Sequence, residues 1–164
     1  MTRTALENLE DDAYVWIFGV SPAVSGSSGA QLLRRVDEFL DGWTAHNEPV
    51  LAGREFRDGS FLVIAAAPQS ERSGCSIDRM FGTLQSLERD LGVKILDPNR
   101  VFFRHGDGRV DAITRAEFRE RGDPHTIVFD TTVERLGDVR GGKWERKAEE
   151  SWHRELLRKA VQRG

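Results

Sequence analysis

Hydrophobic positions along this 164-residue chain fall into two kinds of run. Some are short and apolar at nearly every residue; others recur at three- and four-residue spacing. Tyr14-Val15-Trp16-Ile17-Phe18 and Phe61–Ala67 are of the first kind. Lacking alternation, each is read as a strand buried on both faces. Leu32, Val36, Phe39, Leu40 and Trp43 recur at helical spacing and predict a helix from about Ala30 to Trp43. The stripe Ile77, Met80, Phe81, Leu84, Leu87 and Leu91 predicts a second helix, ended by Gly92. Pro49–Phe56 reads as a strand turning at Arg57-Asp58-Gly59 into Phe61–Ala67, and Arg100–Arg104 as the next strand.

The resulting order is β-α-β-β-α-β. In the split βαβ, ferredoxin-like arrangement the first and third strands are central, and here those are the two continuous apolar runs. The expected fold class is therefore α+β, a mainly antiparallel sheet with a ferredoxin-like core and a C-terminal extension of hairpin, helix, strand and helix. In that extension His105-Gly106-Asp107-Gly108 turns a hairpin into Arg109–Ile113. Thr114-Arg115-Ala116-Glu117 matches a capping box, opening a short helix that closes near Gly122. Thr126–Asp130 is a strand candidate, and a last helix is expected from about Lys147 to Gln162, with Ala148, Trp152, Leu156 and Ala160 on one face. Residues 131–146 show no periodicity around a loop at Gly141-Gly142. Residues 1–12 are polar and acidic at Glu10-Asp11-Asp12, and read as a flexible lead-in to one domain over 13–164.

Composition narrows the picture. Hydrophobic content of 38% and charged content of 31% are those of a globular protein, and a net charge of −3 draws in no nucleic acid. The longest apolar runs are about seven residues, against the ~20 that cross a bilayer, and the N-terminus has no run of signal-peptide length. A single cysteine cannot close an intrachain disulfide, which points to a reducing cytoplasm.

That cysteine, Cys75, lies in Ser73-Gly74-Cys75-Ser76-Ile77-Asp78, where a strand gives way to a helix. Exposed N–H groups and the helix dipole favour a thiolate or a bound anion there. Ser73 or Ser76 is the expected N-cap, Asp78 falls in the first turn, and Gly74 suggests tight backbone geometry or close ligand approach. One reading makes Cys75 a nucleophile with His153 as its base; the plainer reading makes it a packing residue. His46 follows the first helix, at the end of the sheet expected to lie opposite Cys75. No C-x-x-C or H-x-x-x-H spacing indicates a metal. Ser25–Gly29 lacks the lysine of a phosphate loop, so no cofactor is expected. Arg140, Lys143, Arg146 and Lys147 beside Trp144 are interleaved with Glu145, Glu149 and Glu150, a pattern of solvated ion pairs rather than a nucleic-acid surface.

Trp43-Thr44-Ala45-His46, Ser73-Gly74-Cys75-Ser76-Ile77-Asp78, and Asp130-Thr131 with Ser151-Trp152-His153 resemble segments of a bacterial family of small uncharacterised proteins, over about Tyr14 to Leu157. That family's common label, ABC transporter ATPase, has no counterpart in these residues, which include no Walker A loop. The resemblance implies a bacterial cytosolic protein in which these segments are the recognisable patches. Three functions are carried forward. The first is a small-ligand binding or assembly module without complete catalytic machinery, with Trp43, His46, Ser73, Gly74, Ser76, Asp78 and Trp152 as its candidate binding residues. The second is a small thiol-dependent enzyme using Cys75 and His153. The third is a phosphate- or nucleotide-binding regulatory domain at the same helix start. A small anionic ligand and association into a homodimer through sheet edges or faces are compatible with all three.

Overall fold

A computed structural model describes residues 3–68 and 74–157. In chain order these form β1 (Tyr14–Gly19), α1 (Gly26–Asp41), β2 (Thr44–Ala45), β3 (Glu48–Pro49), β4 (Ala52–Arg57), β5 (Phe61–Ala66) and α2 (Gly74–Leu91). There follow β6 (Arg100–Arg104), β7 (Val110–Thr114), α3 (Arg115–Arg121), β8 (Ile127–Phe129), α4 (Leu136–Arg140) and β9 (Glu145–Lys147). Two antiparallel sheets carry the fold, one ordered β1-β5-β4 and the other β7-β6-β8-β9. The class is mixed α+β. Among the described residues no helix is long and apolar enough to cross a membrane.

The first sheet is the middle layer of three, and the side-chain period of two explains why its strands are apolar throughout. Phe18, Leu62, Ile64, Ala66 and Ala52 face one cluster with Leu32, Val36 and Leu40 of α1 and Met80, Leu84 and Leu87 of α2. Val15, Ile17, Phe61, Val63 and Ala65 face the opposite cluster, with Phe102, Phe129, Leu136 and Trp144. Every residue of β5 is consequently buried. Its hairpin to β4 turns tightly at Asp58 and Gly59, both at positive φ (57° and 63°). A Cβ at Gly59 would lie 2.6 Å from the Val24 carbonyl oxygen.

The expected fourth strand departs from the ferredoxin-like order. Arg100–Arg104 pairs with β7 and β8 in the second sheet rather than with β1. Phe102 points into the inter-sheet cluster, whereas Val101 joins Ile113, Phe118, Val128, Ala148 and Leu156 in a third. A strand with apolar side chains on both faces needs two covering layers, and only the second sheet supplies both to β6. β1 therefore lies at the rim of its sheet, not at its centre.

Other boundaries shift modestly. α1 starts earlier than its apolar stripe, at Gly26, and α2 ends at Gly92, whose φ of +65° closes the last turn as expected. The capping box at Thr114 forms: Glu117 N–H donates to Thr114 Oγ1 at 3.1 Å, and Thr114 N–H to the Glu117 carboxylate at 3.0 Å. The last helix does not begin at Lys147. Glu145–Lys147 is strand β9, Ala148–Glu150 is a single 3-10 turn, and helical backbone covers 154–157, the remainder of the expected helix lying outside the described residues. β9 wins because β8 would otherwise keep an unpaired edge, and Ile127, Val128 and Phe129 pair with Lys147, Arg146 and Glu145. The N-terminal lead-in is tied down where it is described. Thr4 N–H donates to the Ala52 carbonyl at 2.8 Å, and Leu6 and Leu9 are buried in the inter-sheet cluster.

Candidate functional site

The cysteine patch and the Trp43 patch meet at the start of α2. Trp43 is buried, and its Nε1–H donates to the Ser76 carbonyl oxygen at 2.9 Å. Its ring also packs against Trp16 and Phe39, at centroid distances of 5.9 and 5.1 Å. Arg79 of α2 donates to the Thr44 carbonyl, so the β2–β3 hairpin sits on the first turns of α2. Ser76 is fully buried inside the helix and is not its N-cap; Ser73, the other cap candidate, lies outside the described residues. With α2 starting at Gly74, Asp78 falls beyond the first turn. Gly74 has open space where a Cβ would stand, so neither packing nor positive φ demands glycine there. Cys75 is exposed. His46, at φ 52°, forms the exposed tip of the β2–β3 hairpin with Asn47, and that hairpin lies at the Cys75 end of α2 rather than at the opposite end of the sheet as expected.

His153 is not brought to Cys75. It is buried in the C-terminal segment, sharing a 2.7 Å hydrogen bond between its Nδ1 and Ser151 Oγ. Its ring stacks on Trp152 at 4.0 Å and 25°, and meets Phe118 edge-on at 6.0 Å. Burial pushes its pKa down to about 4; Asp130 draws it up and Arg115 draws it further down, both weaker than the loss of water.

Around Trp152 the structure assembles a second constellation. Two clefts run along the outer edge of β1, of about 360 and 340 Å³, and share Ile17, Phe18, Thr131 and Thr132 in their walls. Trp152, Arg115, Phe102 and Gly19 line the second of them. Gly19 is required there, since a Cβ would lie 2.2 Å from the Phe102 ring. Asp130 builds the turn that shapes this wall, accepting from the Thr132 N–H at 2.9 Å and from its hydroxyl. The guanidinium of Arg115 lies 5.0 Å from the Trp152 ring centroid, a cation–π contact.

Arg115 Nε and Trp152 Nε1 are both buried and have no acceptor among the described residues, and the same holds for Arg119 Nε one helical turn along α3. Arg100, in the same cleft, is already matched by Asp97 at 3.1 Å, whereas Arg115 has no carboxylate partner among the described residues. Buried donors are nearly always satisfied, and each left bare costs about 1–3 kcal/mol. Two of them belong to Arg115 and Trp152, which line the same cleft. No group of three or more potential metal ligands exists among the described residues.

Of the residues singled out in the sequence, Trp152 belongs to this cleft, and His153 stands directly behind it. Arg115 enters the sequence reading only as part of a capping box. Its local signal is the charge: a cation at the first position of a helix opposes the dipole, a conflict that often marks a functional position. No family profile, curated protein or solved structure matches the chain.

Proposed function

We propose that this protein is a small-ligand binding module whose site is the cleft along β1, and that its ligand presents an anionic oxygen to Arg115 and Trp152. One observation carries the reading: Arg115 and Trp152, distant in the chain, line one cleft, and each holds a buried donor nitrogen without an acceptor among the described residues. An anionic oxygen would satisfy both and offset the isolated charge of Arg115, and charge-assisted bonds of this kind are roughly twice as strong as neutral ones. The stack of His153 on Trp152 and the Ser151 bond hold the indole in place, which lowers the ordering cost of binding.

The family resemblance agrees with this reading, because one residue of each of its Asp130-Thr131 and Ser151-Trp152-His153 patches, Thr131 and Trp152, lines the cleft. With it go a bacterial, cytosolic setting, compatible with an exposed free thiol at Cys75. A ferredoxin-like ancestry for β1, α1, β4, β5 and α2, with its fourth strand drawn into the second sheet, accounts for the open edge on which the cleft lies.

The test is titration of the labelled protein with acetate, succinate and benzoate, read from the Trp152 indole N–H resonance. At least one carboxylate should move that resonance at millimolar concentration. Arg115→Gln should weaken binding by about tenfold or more, the equivalent of ~1.4 kcal/mol. An indole resonance that ignores all three acids would remove the proposal.

A further inference from the structure

Resting on that reading, we infer that the ligand is an extended peptide, which adds a strand to the open edge of β1 and places its C-terminal carboxylate at Arg115 and Trp152. The outer edge of β1 is closed at both ends and open between. At one end Val15 N–H donates to the Glu134 carbonyl at 2.9 Å, and Leu136 N–H to the Ala13 carbonyl at 2.9 Å. At the other, Ser21 and Lys94 exchange bonds of 2.9 and 2.8 Å through their main chains.

Alternation along the strand fixes what lies between. Phe18 and Val20 turn their main-chain groups toward β5, as the 2.7 Å bond from Val20 N–H to the Ser60 carbonyl shows. The N–H and C=O groups of Ile17 and Gly19 therefore face outward, and no partner meets them among the described residues. The segment that pairs near Val15 turns away at Asp130–Thr132, leaving two adjacent clefts along the edge where a neighbouring strand would run. A row of alternating main-chain donors and acceptors is complemented by another extended chain, as in β-augmentation.

Charge gives the occupant a direction. Glu134, exposed, lines the cleft at the Tyr14 end and Arg115 lines it at the Gly19 end. A peptide with its amino end toward Glu134 and its carboxylate at Arg115 matches both, and runs parallel to β1. Val15 to Ser21 spans about 20 Å at ~3.3 Å per residue, so three or four peptide residues suffice to engage Ile17 and Gly19.

The probes are pooled short peptides with alternating valines and a free C-terminus, together with their C-terminally amidated twins, twins N-methylated at alternate residues, and succinate. Amide exchange of Ile17 and Gly19 and the Trp152 indole resonance are followed in the full chain. The free-acid pool should slow exchange at both amides and move the indole; amidation should weaken binding by about tenfold, and N-methylation should abolish the protection. If succinate moves the indole while no peptide protects Ile17 or Gly19, the peptide inference falls and the anion site stands. If acid and amide pools protect both amides equally and succinate leaves the indole unmoved, the carboxylate placement falls together with the anion site. If no probe acts on any of the three groups, both are overturned.

Discussion

His153 shows how burial alone sets a chemical property. Stacked on Trp152 and shut from water, it binds a proton only near pH 4 in the folded protein, against an ordinary value of 6.5. The unfolded chain thus holds more protons between these values, and stability is complete above pH 6.5 and falls as pH drops toward 4. Urea unfolding at pH 7 and near pH 4.5 should differ by about 2–3 kcal/mol from this residue. In His153→Gln that part of the difference should vanish; an unchanged pH slope would show that His153 is not the group responsible. Trp43 depends on its surroundings in another way. Its hydrogen bond to the Ser76 carbonyl and its contacts with Trp16 and Phe39 make it a core residue. Trp43→Phe keeps most of the packing but deletes the donor, and should lower stability by about 1–2 kcal/mol in the same measurement. A loss below the error of the measurement would mean that the bond contributes nothing net.

Among the elements, β1 has the most demanding position. It pairs on one side with β5, carries the cleft on the other, and passes beneath the Phe102 ring at Gly19. Gly19→Ala should therefore destabilise by about 1–3 kcal/mol, the usual range for overpacking. Phe102→Leu in the same chain should recover part of that loss, because it removes the ring atoms the new methyl would meet. Thermal unfolding of the single and double variants checks both; additive losses would show that the clash is relieved elsewhere. Most element types were legible from periodicity, since the stripe of α2 and the apolar runs of β1 and β5 follow directly from burial on one face or two. The final segment was not. Ala148 and Leu156 are both buried at helical spacing, yet 145–147 joins a sheet because β8 offers an edge that no local pattern announces.

Across the whole molecule the first sheet serves two cores at once, helices on one face and the second sheet on the other. The N-terminal residues help to close the second core: Leu6 and Leu9 are buried there, and Arg140 of α4 donates to the Leu6 carbonyl at 3.0 Å. Leu9→Ala should cost about 2–4 kcal/mol by cavity formation, seen as a lower urea midpoint, whereas a mobile lead-in would leave the midpoint unchanged. Taken by itself, the sequence determined which segments bury one face and which bury two, where the turns fall, and that α3 opens with a capping box. Those are consequences of side-chain spacing and of turn chemistry, both local. Only the tertiary structure decided that β6 leaves the first sheet, that β1 lies at the rim of its sheet with no strand paired to Ile17 and Gly19 among the described residues, and that Arg115 and Trp152, 37 positions apart in the chain, meet on one cleft. Which strand pairs with which depends on the second layer that covers each apolar face, and that competition is between segments distant in sequence.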